Sequence, residues 1–153
     1  MQVRSLMSRH VVSARPDTSV NDVAKCMAEN DISGVPVVDD DGRLVGIITE
    51  LDMIVRNGRL EVPTFLQIFD ASIPLELPGH LQERLRHMLG TQARDVMTTK
   101  VCTVNADAEI EELVELMVKR RVNPVPVLDA GKLAGIVSRS DIVRMMATEV
   151  GAD

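Results

Sequence analysis

Two seven-residue stretches carry the side chains best suited to holding a ligand. They are Gly46-Ile47-Ile48-Thr49-Glu50-Leu51-Asp52 and Gly135-Ile136-Val137-Ser138-Arg139-Ser140-Asp141. In each, a hydroxyl residue precedes a carboxylate by three positions. If a helix begins between them, both side chains share one side of its first turn. A helix start favours an anion, through N–H groups without intrahelical partners and through the aligned peptide dipoles. A carboxylate placed there can accept from both hydroxyls of a sugar diol. One helix tip would therefore offer donors for a phosphate and an acceptor for a ribose. The same residues also suit plain structural duty, with Thr49 and Ser138 as N-caps and Asp52 and Asp141 as first-turn acids. The duplication of the motif, with a glycine inside each preceding strand, favours a site over caps alone.

The elements that must position these residues come as an internal repeat. Met7 aligns with Met97, Val11 with Val101, Asp17 with Asp107, and Val35-Pro36-Val37 with Val125-Pro126-Val127, at an offset of 90 residues. One residue is then lost in the second copy, and Gly42 meets Gly131, Gly46 meets Gly135 and Asp52 meets Asp141. Each copy reads as βαββα. Val11 to Ala14 and Val101 to Val104 are short β-rich runs. Val20, Val23, Ala24 and Met27, and in the second copy Ile110, Leu113, Val114 and Met117, form a helical core stripe. Ser19 with Asp22 resembles a capping box, and Asp107 is placed to cap the second helix. Strands at Val35–Val38 and Leu44–Thr49, and at Val125–Leu128 and Leu133–Ser138, flank glycine-bearing hairpin turns. Gly46 and Gly135 mark close backbone approach. Closing helices begin near Glu50 and Arg139. The expected organisation is a first repeat over 1–57, an insertion over 58–92 and a second repeat over 93–153, an α/β (α+β) fold with pseudo-twofold symmetry.

The insertion contains Pro63, Pro74 and Pro78 and an apolar string that includes Phe65, Leu66, Ile68 and Phe69. It is too apolar for a free linker and is expected to pack over the module or to help form a dimer. Composition narrows the function further. Apolar residues make up 45% of the 153, enough for a sizeable core, and aromatic residues are confined to Phe65 and Phe69. A flat ligand would have to be gripped by aliphatic side chains and backbone. The net charge of −6 argues against an extended nucleic-acid surface, although a small anion needs only a few local donors. Cys26 and Cys102 fit no metal spacing, and no stretch reads as a signal peptide or membrane span. A cytoplasmic protein is expected. Asp39-Asp40-Asp41-Gly42 lacks the alternating ligands of a calcium loop and reads as a charged turn. His10, His80 and His87 have no partner at a catalytic spacing. Lys119-Arg120-Arg121 ends a helix, where cations suit the dipole, and could also reach a phosphate.

These residues together resemble a tandem pair of cystathionine-β-synthase (CBS) domains, a Bateman module of the small stand-alone bacterial kind. The likeness rests on Asp95-Val96-Met97-Thr98 and Leu6-Met7-Ser8, on Gly34-Val35-Pro36-Val37-Val38-Asp39 and Pro124-Val125-Pro126-Val127-Leu128-Asp129, and on the two motifs above. It implies two clefts that bind adenosine compounds: AMP, ADP or ATP, S-adenosylmethionine, or a cyclic dinucleotide. By position, Asp52 and Asp141 would hold ribose hydroxyls, with Thr49 and Ser138 near phosphate. The backbone around Ser33, Gly34 and Val35, and around Asn123, Pro124 and Val125, would line the adenine pocket. Val11, Val12, Val101 and Cys102 would form its apolar wall, and Ile48 and Val137 would point elsewhere. No cofactor beyond such a ligand, no metal and no catalytic residue is expected.

The two clefts should differ. Glu50 follows one hydroxyl residue and Arg139 the other, and Lys100 stands where the first copy has His10. On this reading the Ser138–Asp141 cleft prefers the charged nucleotide, and the Thr49–Asp52 cleft is weaker, empty or suited to a less anionic adenosine compound. The expectation is thus a regulatory adenine-nucleotide module, a homodimer with a possible effector protein and no nucleic-acid or membrane partner. The rival is an interaction module with vestigial clefts.

Overall fold

A computed structural model describes residues 1–58 and 91–150, the side chains of 55–58 and 150 excepted. The insertion's apolar string, together with His80 and His87, lies outside these residues. After a 3-10 turn at Val3–Ser5, the first copy runs through α1 (Val20–Asn30), β1 (Gly34–Val38), β2 (Leu44–Thr49) and α2 (Glu50–Gly58). The second runs through α3 (Ala93–Val96), β3 (Val104–Asn105), α4 (Ile110–Arg120), β4 (Val125–Asp129), β5 (Lys132–Val137) and α5 (Arg139–Val150).

The hairpins form as their sequences require. β1 and β2 pair antiparallel from Gly34↔Thr49 to Val38↔Leu44, and β4 and β5 from Val125↔Val137 to Asp129↔Lys132. The shorter second turn places Ala130 and Gly131 at φ 49° and 77°, the double positive φ of a two-residue hairpin. The longer first turn is held by Asp39, whose Oδ1 accepts from the N–H groups of Asp41 and Arg43 at 3.0 and 2.9 Å. Asp40 pairs with Arg15, so this acidic run is a turn fixed by its own carboxylates.

The entry strands are shorter than their β-rich sequences suggest. In the first copy only Ala14 pairs, in a parallel bridge to Val37. In the second, β3 pairs with Val127 and Leu128, and the next residue, Ala106, donates its N–H to Leu128 O at 2.9 Å. The residue matching Ala106 is Pro16, which has no N–H, so the first copy cannot extend its ladder in this way. Of the helical stripes, Val20, Val23 and Met27 and their counterparts Ile110, Leu113 and Met117 are buried. Ala24 is exposed and Val114 half-buried; both fall at the edge of the core-facing stripe. Ser19 caps α1, accepting from Asp22 N at 3.1 Å. Asp107 does not cap α4, because the N-cap position is Glu109, two residues later.

The copies exchange their leading segments. Val3 is fully buried in the second copy's core with Val104, Leu113, Val125 and Val127, and Leu6 and Met7 pack against that cluster. Conversely, Ala93 is fully buried in the first copy's core with Val23, Val35 and Ile48, and Val96 and Met97 pack there. Backbone hydrogen bonds fix the exchange: Val3 N to Ala108 O, Ser8 N to Ile136 O, Ala93 N to Thr18 O and Thr98 N to Ile47 O, all between 2.7 and 2.9 Å. The in-strand glycines make this possible. A Cβ on Gly46 would lie 2.5 Å from the Met97 sulfur, and one on Gly135 would lie 2.6 Å from that of Met7.

Candidate functional site

Because the leading segments are exchanged, each cleft combines the helix start of one repeat with the entry segment of the other. The Ser138–Asp141 cleft, about 480 Å³, is lined by Ser138 to Asp141 together with Ser8, His10, Val11, Val12, Asp31 to Gly34, Glu50, Asn123, Pro124 and Ile136. The Thr49–Asp52 cleft, about 350 Å³, is lined by Thr49 to Asp52 together with Ser33, Ile47, Thr98, Lys100, Val101, Cys102, Arg121 to Pro124 and Arg139. Ser33, Glu50, Asn123, Pro124 and Arg139 line both and form a shared wall. Asn123 stiffens that wall: its Nδ2 donates to Ser33 Oγ at 3.3 Å, and its Oδ1 accepts from Arg139 N at 2.9 Å.

The two helix tips are built alike. Asp52 Oδ2 accepts from Thr49 N at 2.9 Å and from Thr49 Oγ1 at 3.1 Å, while Asp52 N donates to Thr49 Oγ1 at 3.3 Å. Asp141 Oδ2 accepts from Ser138 N at 2.7 Å and from Ser138 Oγ at 2.9 Å. Each carboxylate therefore reaches back to the N–H that precedes its helix, and Thr49 in addition caps α2 through its hydroxyl. The second carboxylate oxygen is used differently in the two clefts. Asp141 Oδ1 is held by Arg144 at 3.2 Å. Asp52 Oδ1 has a longer contact from Thr98 Oγ1, at 3.4 Å.

Some of the backbone donors credited to the helix tips are engaged. Glu50 N donates to Ser33 O at 3.0 Å, and Arg139 N donates to Asn123 as described. An anion at these tips would rely on side-chain cations more than the motif alone suggests.

Of the residues singled out in the sequence, Val11, Val12, Ser33, Gly34, Asn123, Pro124, Ser138, Arg139 and Asp141 come together in the larger cleft. Thr49, Asp52, Lys100, Val101 and Cys102 come together in the smaller one. Val35 and Val125 line neither; both are fully buried in the repeat cores, because strand alternation turns them inward beside the lining Gly34 and Pro124. Ile48 and Val137 are likewise core. The expected assignment of charge requires correction. Glu50 and Arg139 do not separate the clefts, since each lines both, and Lys100 sits with Thr49 and Asp52 rather than with Ser138 and Asp141. His10, Asp31 and Thr98 are lining residues not singled out for the site, and Arg121 lines it as one of the three cations noted at the end of α4. Asp31 and Arg121 are αL residues at φ 50° and 53°, ending α1 and α4 at matching positions. Among the described residues no group of His, Cys, Asp and Glu is arranged to hold a metal, and no helix is long and apolar enough to cross a membrane.

Comparison with known proteins agrees with this architecture. The CBS domain model matches residues 3–56 and 93–148. An uncharacterized protein of Methanocaldococcus jannaschii, MJ1426, is 34% identical, with 95% of this chain and 91% of that protein covered. The crystal structure of the CBS-domain containing protein ATU1752 from Agrobacterium tumefaciens superposes with a TM-score of 0.71 at 27% identity, covering 95% of this chain and 99% of that one. That of CBSX2 in complex with AMP superposes with a TM-score of 0.73 at 25% identity, covering 97% and 98%. With two matched repeats, exchanged leading segments and twin clefts, the chain belongs to the CBS domain family and is a CBS-domain pair.

Proposed function

We propose that this CBS-domain pair is a non-catalytic regulatory module whose clefts take an adenosine-containing ligand of the AMP, ADP or ATP kind. One observation carries the reading. Each cleft sets a capped helix tip and its carboxylate against a wall of aliphatic side chains and backbone, which suits a ribose on one side and a flat base on the other. The neighbouring structure of CBSX2 in complex with AMP supports it. On this reading the polar groups of the clefts hold a ligand rather than attack it. Binding would act by differential affinity for two arrangements of the repeats, read by a partner copy or an effector protein. Leu51 and Ile54 on α2 and Val143 and Met146 on α5 are exposed apolar residues that support association of two copies. A cytoplasmic location fits the same reading.

The test is thermal unfolding against a panel of adenosine compounds, with mass spectrometry of whatever co-purifies under native conditions. AMP at 100 times its Kd should stabilise the chain by about 2.7 kcal/mol. A panel that includes S-adenosylmethionine and cyclic dinucleotides and gives no shift would reject the ligand-sensing reading in favour of an interaction module.

A further inference from the structure

We infer that the two clefts are specialised by charge: the Thr49–Asp52 cleft takes the anionic nucleoside phosphate, and the Ser138–Asp141 cleft takes an uncharged adenosine compound. This rests on the adenosine reading above and assigns its two sites. The shared wall gives both clefts Glu50 and Arg139, so these two residues do not discriminate. Two repeat-related pairs do. Lys100 lines the Thr49–Asp52 cleft where its counterpart His10 lines the other, and Arg121 lines it where its counterpart Asp31 lines the other. Among the described lining residues, the Thr49–Asp52 cleft thus collects Lys100, Arg121 and Arg139 against the carboxylates of Glu50 and Asp52. The Ser138–Asp141 cleft has Arg139 and the imidazole of His10 against the carboxylates of Asp31, Glu50 and Asp141.

The Arg121 substitution costs the fold little, because both it and Asp31 sit exposed in the same left-handed conformation at a helix end. The exchange of leading segments then carries Lys100 to the same side. Ion pairing adds a second distinction. In the larger cleft Arg144 already donates to Asp141 Oδ1 at 3.2 Å, which takes up one of the two lone pairs that oxygen could offer a sugar. In the smaller cleft, among the described residues, Asp52 Oδ1 is met by the Thr98 hydroxyl, at 3.4 Å. A nucleotide in the smaller cleft finds cations for its phosphate and a less encumbered acceptor for its ribose. With the Glu50 and Arg139 N–H groups already engaged, these side chains weigh heavily in where the charge goes.

The experiment is calorimetric titration of the full chain with AMP and with adenosine, alongside amide chemical-shift mapping of the same titrations. AMP at low ratio should move Thr98, Lys100 and Arg121 before His10 and Asp31, and adenosine the reverse. Lys100→Met with Arg121→Met should lower the ratio of AMP to adenosine affinity about tenfold, the loss expected for removing charge-assisted contacts. Both side chains are exposed, so the fold is preserved, and unchanged thermal unfolding of the unliganded variant checks this. The reciprocal variant, His10→Lys with Asp31→Arg, should strengthen AMP binding in the larger cleft. AMP perturbing His10 and Asp31 first, or a ratio insensitive to Lys100→Met with Arg121→Met, overturns the assignment and leaves the adenosine reading standing. Neither compound binding overturns both.

Discussion

At the scale of single residues, Asp52 and Asp141 each serve two ends. One oxygen closes the helix cap with Thr49 or Ser138, and the other is directed to duty outside the cap. The two roles separate in variants. Asp52→Ala or Asp141→Ala removes both, and loss of the cap alone should cost about 1 kcal/mol of stability without ligand. Asn at either position keeps an acceptor for the cap but brings a neutral, half-donor group to the sugar. Asp52→Asn should therefore unfold within a few degrees of the parent, yet bind AMP roughly 5- to 150-fold more weakly, the range for an imperfectly paired buried polar group. Equal AMP affinity for Asp52→Asn and the parent, by calorimetry, would show that no ribose hydroxyl rests on this carboxylate.

At the scale of elements, the close approach of each methionine to a strand glycine is the joint on which the exchange of segments turns. The three atoms nearest to a Cβ on Gly46 all belong to the Met97 side chain, at 2.5 to 3.0 Å. One on Gly135 would meet the Met7 side chain and also the backbone oxygen of Ser8 at 2.9 Å. Gly46→Ala and Gly135→Ala should both destabilise by about 1–3 kcal/mol, the usual penalty for overpacking. Gly135→Ala should be the worse, because a carbonyl hydrogen-bonded into the sheet cannot swing aside. Adding Met97→Ala should recover part of the Gly46→Ala loss in a double-mutant cycle, and additive losses would count against the contact. These joints also mark where the sequence stops being legible. The repeat, the hairpins and the helix starts follow from periodicity and turn chemistry, and most lining residues from the family resemblance. The aligned copies tell which residues are equivalent, as Lys100 is to His10, but not which copy a leading segment packs against. The exchange that carries Lys100 to the Thr49–Asp52 cleft is a tertiary choice, written in glycine–methionine packing 51 and 128 residues apart in the chain rather than in any local pattern. Arg121 was visible only as one of three cations at a helix end, and a left-handed C-cap was needed to place it in a cleft.

At the scale of the whole molecule, exchanged segments make each repeat's core depend on chain from the other. Val3 belongs to the first copy by sequence and to the second by packing, and Ala93 the reverse. The copies also meet at the shared wall, where a Cβ on Gly34 would lie 2.6 Å from the Pro124 ring. Neither repeat can lose its fold without uncovering part of its neighbour, so unfolding should be one cooperative event. Val3→Ala examines this directly. Its side chain is fully buried, and truncation should cost roughly 1–3 kcal/mol, between the penalties for Ile→Val and Leu→Ala. Hydrogen exchange under native conditions should then accelerate by the same free energy in β4 and β5 as in β1 and β2, although the substituted residue touches only the former pair's core. Faster exchange confined to β4 and β5 would mean that the repeats open independently. In that case a ligand in one cleft could order its own lining without being felt in the other, and the shared wall of Ser33, Asn123 and Arg139 would carry no signal between them. A common loss of protection instead makes the pair a single mechanical body, in which occupation of either cleft biases both.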